Sequence, residues 1–366
     1  MLSRLCAGAA ALTVAAALVS GCGGSTSATG WQPASGLAEG AADRSVDAAP
    51  VSQLSGGAAP LSSSACAASS SGAGSSVSPD LKAGGTLFVS VGSAGAPIRE
   101  FYGSGTDPTP FSSIDTHIIH PRGISVDKKG TLYVAAYDSV SGIGDVLEFP
   151  QGQSSPSVTL QNMMNHPIYA AADNKGNVYA INDDGGPIFV FAPGSSTPTQ
   201  LGGFTYPTSL AFDSSWNMYV VDRSFGSSAP LGAVFELAPG SQSKTNLGLT
   251  GLNNPEGIAI DSSNDIFVSN LGGNSVTEYA PGATAPKLTI TNGICDPYYL
   301  ALNARNFLFV VNYGALPKGD VTVYKPNATS PLMTLTDKIV KPQGVAVNPI
   351  YPSPKPTASP TPTPAP

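Results

Sequence analysis

The residues best placed to do chemistry stand beside six prolines. Pro121, Pro167, Pro207, Pro255, Pro297 and Pro342 recur at intervals of 40 to 48 residues, and a polar or amphipathic side chain precedes each: His120, His166, Tyr206, Asn254, Asp296 and Lys341. Two imidazoles with Asp and Asn oxygens form a donor set for a divalent cation, imidazole favouring a transition metal and oxygen favouring calcium. A histidine tuned by a neighbouring carboxylate is also the pairing of a general base. Asn182, Asp222, Asn270 and Asn312 close the second apolar run after four of these prolines, and Arg122 and Glu256 directly follow theirs. The same Asx side chains cap turns, a role that needs no ligand.

The segments that position these groups repeat. Pro121-Arg122-Gly123-Ile124-Ser125-Val126-Asp127 leads to Leu132-Tyr133-Val134, and Pro255-Glu256-Gly257-Ile258-Ala259-Ile260-Asp261 leads to Ile266-Phe267-Val268. Each reads as a strand, a tight Asx turn and a second strand. Val146–Phe149, Ile188–Phe191, Val234–Leu237, Val276–Tyr279 and Val321–Tyr324 supply a third strand. Four strands per repeat of about 45 residues is the signature of a propeller blade. The last repeat, from Pro342, holds only a first strand, and Gly85-Thr86-Leu87-Phe88-Val89 begins a repeat without one. The two complete each other, removing open edges. The expected fold is therefore all-β, a six-bladed propeller over residues 81–348 closed by its terminal strand.

From each of the first five prolines to the aromatic of the following strand the spacing is constant at 12, whereas the spacing from that strand's aromatic to its third-strand counterpart runs from 12 to 18. Regular turns below and variable loops above make the upper face, with the pre-proline residues around the channel mouth, the expected binding side. The longest of these loops, Asp222 through Gly232, brings Arg223 there. Trp216, in a lower turn, is expected to pack locally, and His117 to belong to an outer strand or loop.

The repeats resemble those of the NHL family, whose units read Pro-x-Gly-Ile-Ala-Val-Asp-x-x-Gly-x-Leu-Tyr-Val-Ala-Asp. The resemblance implies a six-bladed propeller, and the wider group includes protein-binding and RNA-binding modules, lyases and lactonases. Six-bladed calcium lactonases are similar in architecture and use Glu, Asn and Asp at the mouth. Their Glu-Gly-Pro strand has no counterpart beside Gly84-Gly85. Streptogramin-lyase-like propellers use His with acidic groups, which would fall to His120 or His166.

Composition and flanks set the context. Charged residues make up 11% of 366, with 41 Gly, 33 Pro and a net charge of -7, so a phosphate-binding surface has no basic footprint and no nucleic-acid partner is expected. Arg4 followed by the apolar stretch Gly8 to Val19 reads as a secretory signal over 1–21, too short for a bilayer span. Val19-Ser20-Gly21-Cys22 resembles the lipobox of bacterial lipoproteins, which implies lipidation of Cys22 and anchoring to the cell envelope, at the outer membrane or cell surface. The Ser/Gly/Ala-rich stretch completing 22–80 reads as a linker with a span of roughly 40 Å, and 349–366 as a Pro/Thr-rich tail. With Cys6 and Cys22 so assigned, Cys66 and Cys295 remain as the two cysteines that could pair in an oxidising compartment, a pairing that sequence separation neither requires nor forbids. The mouth residues differ from blade to blade without assembling a nucleophile, base and orienting group. The expected role is a non-catalytic binding module for an unidentified protein, peptide or small molecule. A metal-assisted lactonase-like hydrolase, a streptogramin-lyase-like enzyme and a surface spacer are the alternatives.

Overall fold

One local circuit of hydrogen bonds builds the repeat. Asp127 Oδ1 accepts the backbone N–H groups of Lys129 and Thr131 at 2.9 and 2.8 Å, and Asp173, Asp213, Asp261 and Asn303 close the same turn in four other repeats. The turn needs one left-handed residue, supplied by Gly130, Gly176, Asn264, Asn306 and, unusually, Trp216 at φ 67°. The hydroxyls of Tyr133, Tyr179 and Tyr219 donate to the second carboxylate oxygen of their own turn at 3.3–3.4 Å. The constant spacing of 12 therefore has a physical cause: the Asx turn halfway along fixes the length of the hairpin, and in three repeats its carboxylate also tethers the aromatic. Trp216 packs locally as expected, against Phe212 and beneath Lys128.

The computed structural model describes residues 85–348 apart from 93–97, 103–109, 116–117, 138–142, 225–231 and 316–317. The expected signal segment, Cys22, the linker to residue 80, Cys66, His117, the centre of the 222–232 loop and the 349–366 tail lie outside the described residues.

The strands form six four-stranded antiparallel sheets. Blade 1 joins Thr86–Val91 to the last strand, Pro342–Asn348, with Leu87 opposite Val347 and Val89 opposite Val345. Blades 2 to 6 start from the inner strands Pro121–Val126, Pro167–Ala172, Pro207–Phe212, Pro255–Ile260 and Pro297–Leu302. The chain is thus a six-bladed β-propeller closed by its terminal strand. Among the described residues no helix is long and apolar enough to cross a membrane.

Each sheet is covered on both faces by neighbouring blades, so its inner strands are buried almost continuously, as Pro167–Ala172 and Leu308–Asn312 show. The core is a series of inter-blade layers. Val89, Phe101 and Val345 of blade 1 pack on Phe309, Val311 and Val323 of blade 6, and Phe88 and Ile98 pack on Val134 and Phe149 of blade 2.

The register slips just after the proline of every inner strand, leaving a bulge at Arg122, Ile168, Thr208, Glu256, Tyr298 and Gln343. There the next blade comes very close. A Cβ on Gly123 would stand 2.5 Å from the Ile168 carbonyl, one on Gly257 2.5 Å from that of Tyr298, and one on Gly344 2.6 Å from that of Arg122. The glycine in Pro-x-Gly is demanded by this contact. Gly257→Ala is expected to lower stability by about 1–3 kcal/mol through overpacking. Gly202→Ala, where a methyl meets open space, should stay within about 0.5 kcal/mol. Chemical denaturation of both variants checks the claim, and equal effects would refute it.

Candidate functional site

The bulge re-aims the post-proline side chains and removes them from ordinary strand pairing. A second ring lies above them, in Tyr137 at the end of its second strand and in Asp183, Arg223, Leu271 and Tyr313 just after theirs. Backbone clasps hold this ring to the pre-proline residues. The N–H groups of Asp183, Arg223, Leu271 and Tyr313 donate to the carbonyls of His166, Tyr206, Asn254 and Asp296 at 2.9–3.1 Å. His120, His166, Asn254, Asp296 and Lys341 adopt φ of 43–51° directly before proline, a strained arrangement that persists because the clasps over-determine it.

The two rings interlock through charge. Arg122 Nη2 of blade 2 meets Asp183 Oδ2 of blade 3 at 3.3 Å, and its Nη1 lies 3.5 Å from the Gln343 amide oxygen. Arg223 Nη1 of blade 4 meets Glu256 Oε2 of blade 5 at 2.8 Å. Arg223 also lies 4.3 Å above the Tyr206 ring, whose hydroxyl donates to Asp183 Oδ1 at 2.5 Å. Burial pushes the Glu256 carboxyl above its usual range, against the opposing pull of Arg223. For both guanidiniums burial lowers the pKa, and the paired carboxylates outweigh it, so the balance lies above the usual value. Burial and the Asp183 hydrogen bond raise the Tyr206 phenol, which stays a donor.

Beneath the mouth the channel is closed. Tyr299 of blade 6 reaches across it, its hydroxyl donating to the Ile168 carbonyl of blade 3 at 3.0 Å and lying 3.4 Å from that of Thr208 in blade 4. Its ring stacks on Tyr169 at 5.2 Å. These two rings occupy positions equivalent to Gly123, Gly257 and Gly344, so large side chains on some blades fill space that small ones vacate. The mouth is a cup with an aromatic floor.

Of the residues expected at the site, the structure brings Arg223, Glu256 and Tyr206 into this cup, together with Arg122. His120 and His166 lie at its rim, holding Tyr137 between them with centroid distances of 5.3 and 4.9 Å. Asp296 is half-buried, and burial raises its pKa. Asn254 is also half-buried, and Lys341 is exposed.

Asn182, Asp222, Asn270 and Asn312 are buried and serve the rim loops. They accept the N–H groups of Asn165, of Thr205 and Tyr206, of Asn253 and of Cys295. Among the described residues no three His, Cys, Asp or Glu side chains gather as a metal would need. Sequence reasoning missed Asp183, Tyr137, Tyr298, Tyr313, Tyr299 and Gln343. The signal was present in their fixed offsets from each proline, at the bulge and just beyond the second strand.

A groove of about 710 Å³ opens on the opposite face and is lined by Lys128, Lys129, Lys175 and Trp216. Its carboxylates Asp127 and Asp173 are committed to their Asx turns, and Lys128 sits on the Trp216 ring. It belongs to the repeated scaffold, whereas the mouth carries groups that differ in every blade.

Cup and scaffold together define a six-bladed β-propeller whose closed channel ends in a charged aromatic mouth. No protein-family model matches the chain, and no curated protein sequence matches it. Cys295, buried at the rim, is disulfide-bonded to a partner outside the described residues.

Asn312 also donates to Asp320 at 2.8 Å, and burial pushes that carboxyl up to about 6. Against an unfolded value of roughly 3.9, the folded state holds this proton more tightly, so stability falls as pH rises from about 4 to about 6. Asp320→Asn should therefore raise stability at neutral pH by about 1–3 kcal/mol and reduce that slope. Melting temperatures across this pH range provide the measurement, and an unchanged profile would contradict the assignment.

Proposed function

We propose that this propeller is an exported, lipid-anchored protein of the NHL-repeat kind that acts as a recognition module, holding its ligand in the cup at the channel mouth. One observation carries the reading: side chains from five blades, Arg122, Asp183, Arg223, Glu256 and Tyr298 among them, converge in a half-open cup through positions that strand pairing does not use. Within the wall Arg122 is matched to Asp183 and Arg223 to Glu256. Pre-organised donors, acceptors and rings gathered in one concave mouth suit ligand binding.

Footprinting tests this directly. The full chain is exposed to hydroxyl radicals with and without separated peptide, glycan, lipid and small-molecule fractions of a bacterial envelope. Tyr206, Tyr298 and Tyr313 are expected to gain protection with one fraction while Trp216 below does not. Arg223→Ala should weaken that protection, and Asp261→Asn, in a lower turn, should leave it unchanged. Protection confined to the lower face would sink the reading. Stoichiometric bound metal with lactone hydrolysis lost in Asp296→Ala would move the protein to the hydrolases.

The disulfide at Cys295 supports an oxidising compartment, and Val19 to Cys22 supports a lipid anchor. Cys66 is the proposed partner, because Cys6 and Cys22 are accounted for by the signal and the lipid. Membrane partitioning should be lost in Cys22→Ala, and a non-reducing peptide map should join Cys66 to Cys295. Partitioning unchanged by the substitution, or Cys295 joined elsewhere, would remove this placement.

A further inference from the structure

The chemistry of the cup narrows what it takes. An anion site leaves a guanidinium unpaired, and an ammonium site leaves a carboxylate unpaired. Here Arg122, Asp183, Arg223 and Glu256 sum to zero charge and are paired within the wall. Their capacity is not exhausted: a guanidinium carries five N–H donors and a carboxylate about four acceptor sites. The Arg122–Asp183 pair is long at 3.3 Å, with side chains 18% and 34% exposed. The wall therefore presents donors beside acceptors with no net charge, which is the complement of hydroxyl groups that both donate and accept.

Aromatic faces accompany these groups. Tyr298 and Tyr313 are half-buried with centroids 5.1 Å apart and planes inclined at 45°, and Tyr206 lies beneath Arg223. Faces of this kind stack against the C–H side of a pyranose ring. The Tyr169–Tyr299 floor stops a chain from threading the channel, so a ligand sits in the cup by an end or a single ring. The carbonyls of His166, Tyr206, Asn254 and Asp296 are already engaged by N–H donors, so these rim segments offer no ready edge for adding a peptide strand.

We infer that the cup binds a neutral glycan, with Arg122 and Asp183 meeting its hydroxyls and Tyr298 and Tyr313 its ring faces. This rests on the mouth being the recognition site.

The test is calorimetric titration of the full chain with neutral oligosaccharides, namely chitohexaose, cellohexaose, maltohexaose and laminarihexaose. A sulfated heparin hexasaccharide and a lysine pentapeptide serve as ionic comparators. At least one neutral probe should bind, with an affinity that does not change between low and high salt. Tyr298→Ala and Tyr313→Ala should each weaken it at least about tenfold, and Tyr298→Phe should retain it within about threefold. Lys128→Ala, on the opposite face, should match the wild type. Circular dichroism and melting of each variant separate lost binding from lost fold. Binding of the ionic probes alone, steep salt dependence, or full affinity in both alanine variants overturns the assignment. Silence of every neutral probe while footprinting still protects the mouth overturns the glycan class and leaves the mouth as the site. Loss of mouth protection overturns both.

Discussion

The close approach of each post-proline carbonyl to the neighbouring blade is the contact on which the rest of this propeller depends. Six inner strands must converge on one axis, and a strand with side chains at every position could not come so near. The chain meets the constraint in two ways. It deletes the side chain at Gly123, Gly257 and Gly344, and it supplies a hydroxyl to the carbonyl itself. Ser90 donates to Arg122, Tyr299 to Ile168, Thr208 and Ser209 to Glu256, and Ser269 to Tyr298. A buried carbonyl without a partner would cost about 1–3 kcal/mol, so these hydroxyls turn a crowded junction into a specific one. The accompanying bulge is what sends the next side chain toward the cup.

Convergence also decides what fills the axis. Three glycines and a serine leave room at the bulge level, and Tyr169 with Tyr299 take it. Above that plug, charges sit where water is scarce, and an unpaired Glu256 at 4% exposure would be severely penalised. Arg223 answers it, as Asp183 answers Arg122, and Tyr206 links the two pairs by donating to Asp183 beneath Arg223. Neutralisation within the wall is a condition for placing charge there at all, and it is also what removes any preference for a charged ligand.

Much of this was legible in the sequence, for identifiable reasons. The proline period, the Asx turn and the aromatic at a spacing of 12 are local, and local circuits write themselves into short-range pattern. The split blade was legible because the first repeat lacked its inner strand and the last repeat held nothing else. The cup was legible only in part. Arg122 and Glu256 stand out as charges in an apolar context, but Asp183 sits in Asn182-Asp183-Asp184 and looks like any polar turn until blade 3 is placed beside blade 2. Tyr299 resembles a core aromatic, and its reach to a carbonyl 131 positions earlier is a property of closure that no local window contains. Asn182, Asp222, Asn270 and Asn312 stood out for their type. The structure shows that type serving loop carbonyls and amides, so a recurring Asx at one offset reported the scaffold, and the side chains that change at neighbouring offsets reported the site.

That division follows from where the hydrogen bonds are. On the lower face the Asx turn uses the side chain at a fixed position to satisfy two backbone N–H groups, and any other residue there would orphan them. On the upper face the bulged position has stepped out of the ladder, and Asp183, Arg223, Leu271 and Tyr313, each just after a second strand, are clasped through their backbone N–H groups. Neither position needs one particular side chain to satisfy its backbone. Arg, Ile, Thr, Glu, Tyr and Gln therefore follow the six prolines, and Asp, Arg, Leu and Tyr follow four of the second strands. A repeat that fixes its lower turns and frees two offsets above them can vary its ligand by substitution alone. The contact that closes the ring is the one that leaves the cup free to differ.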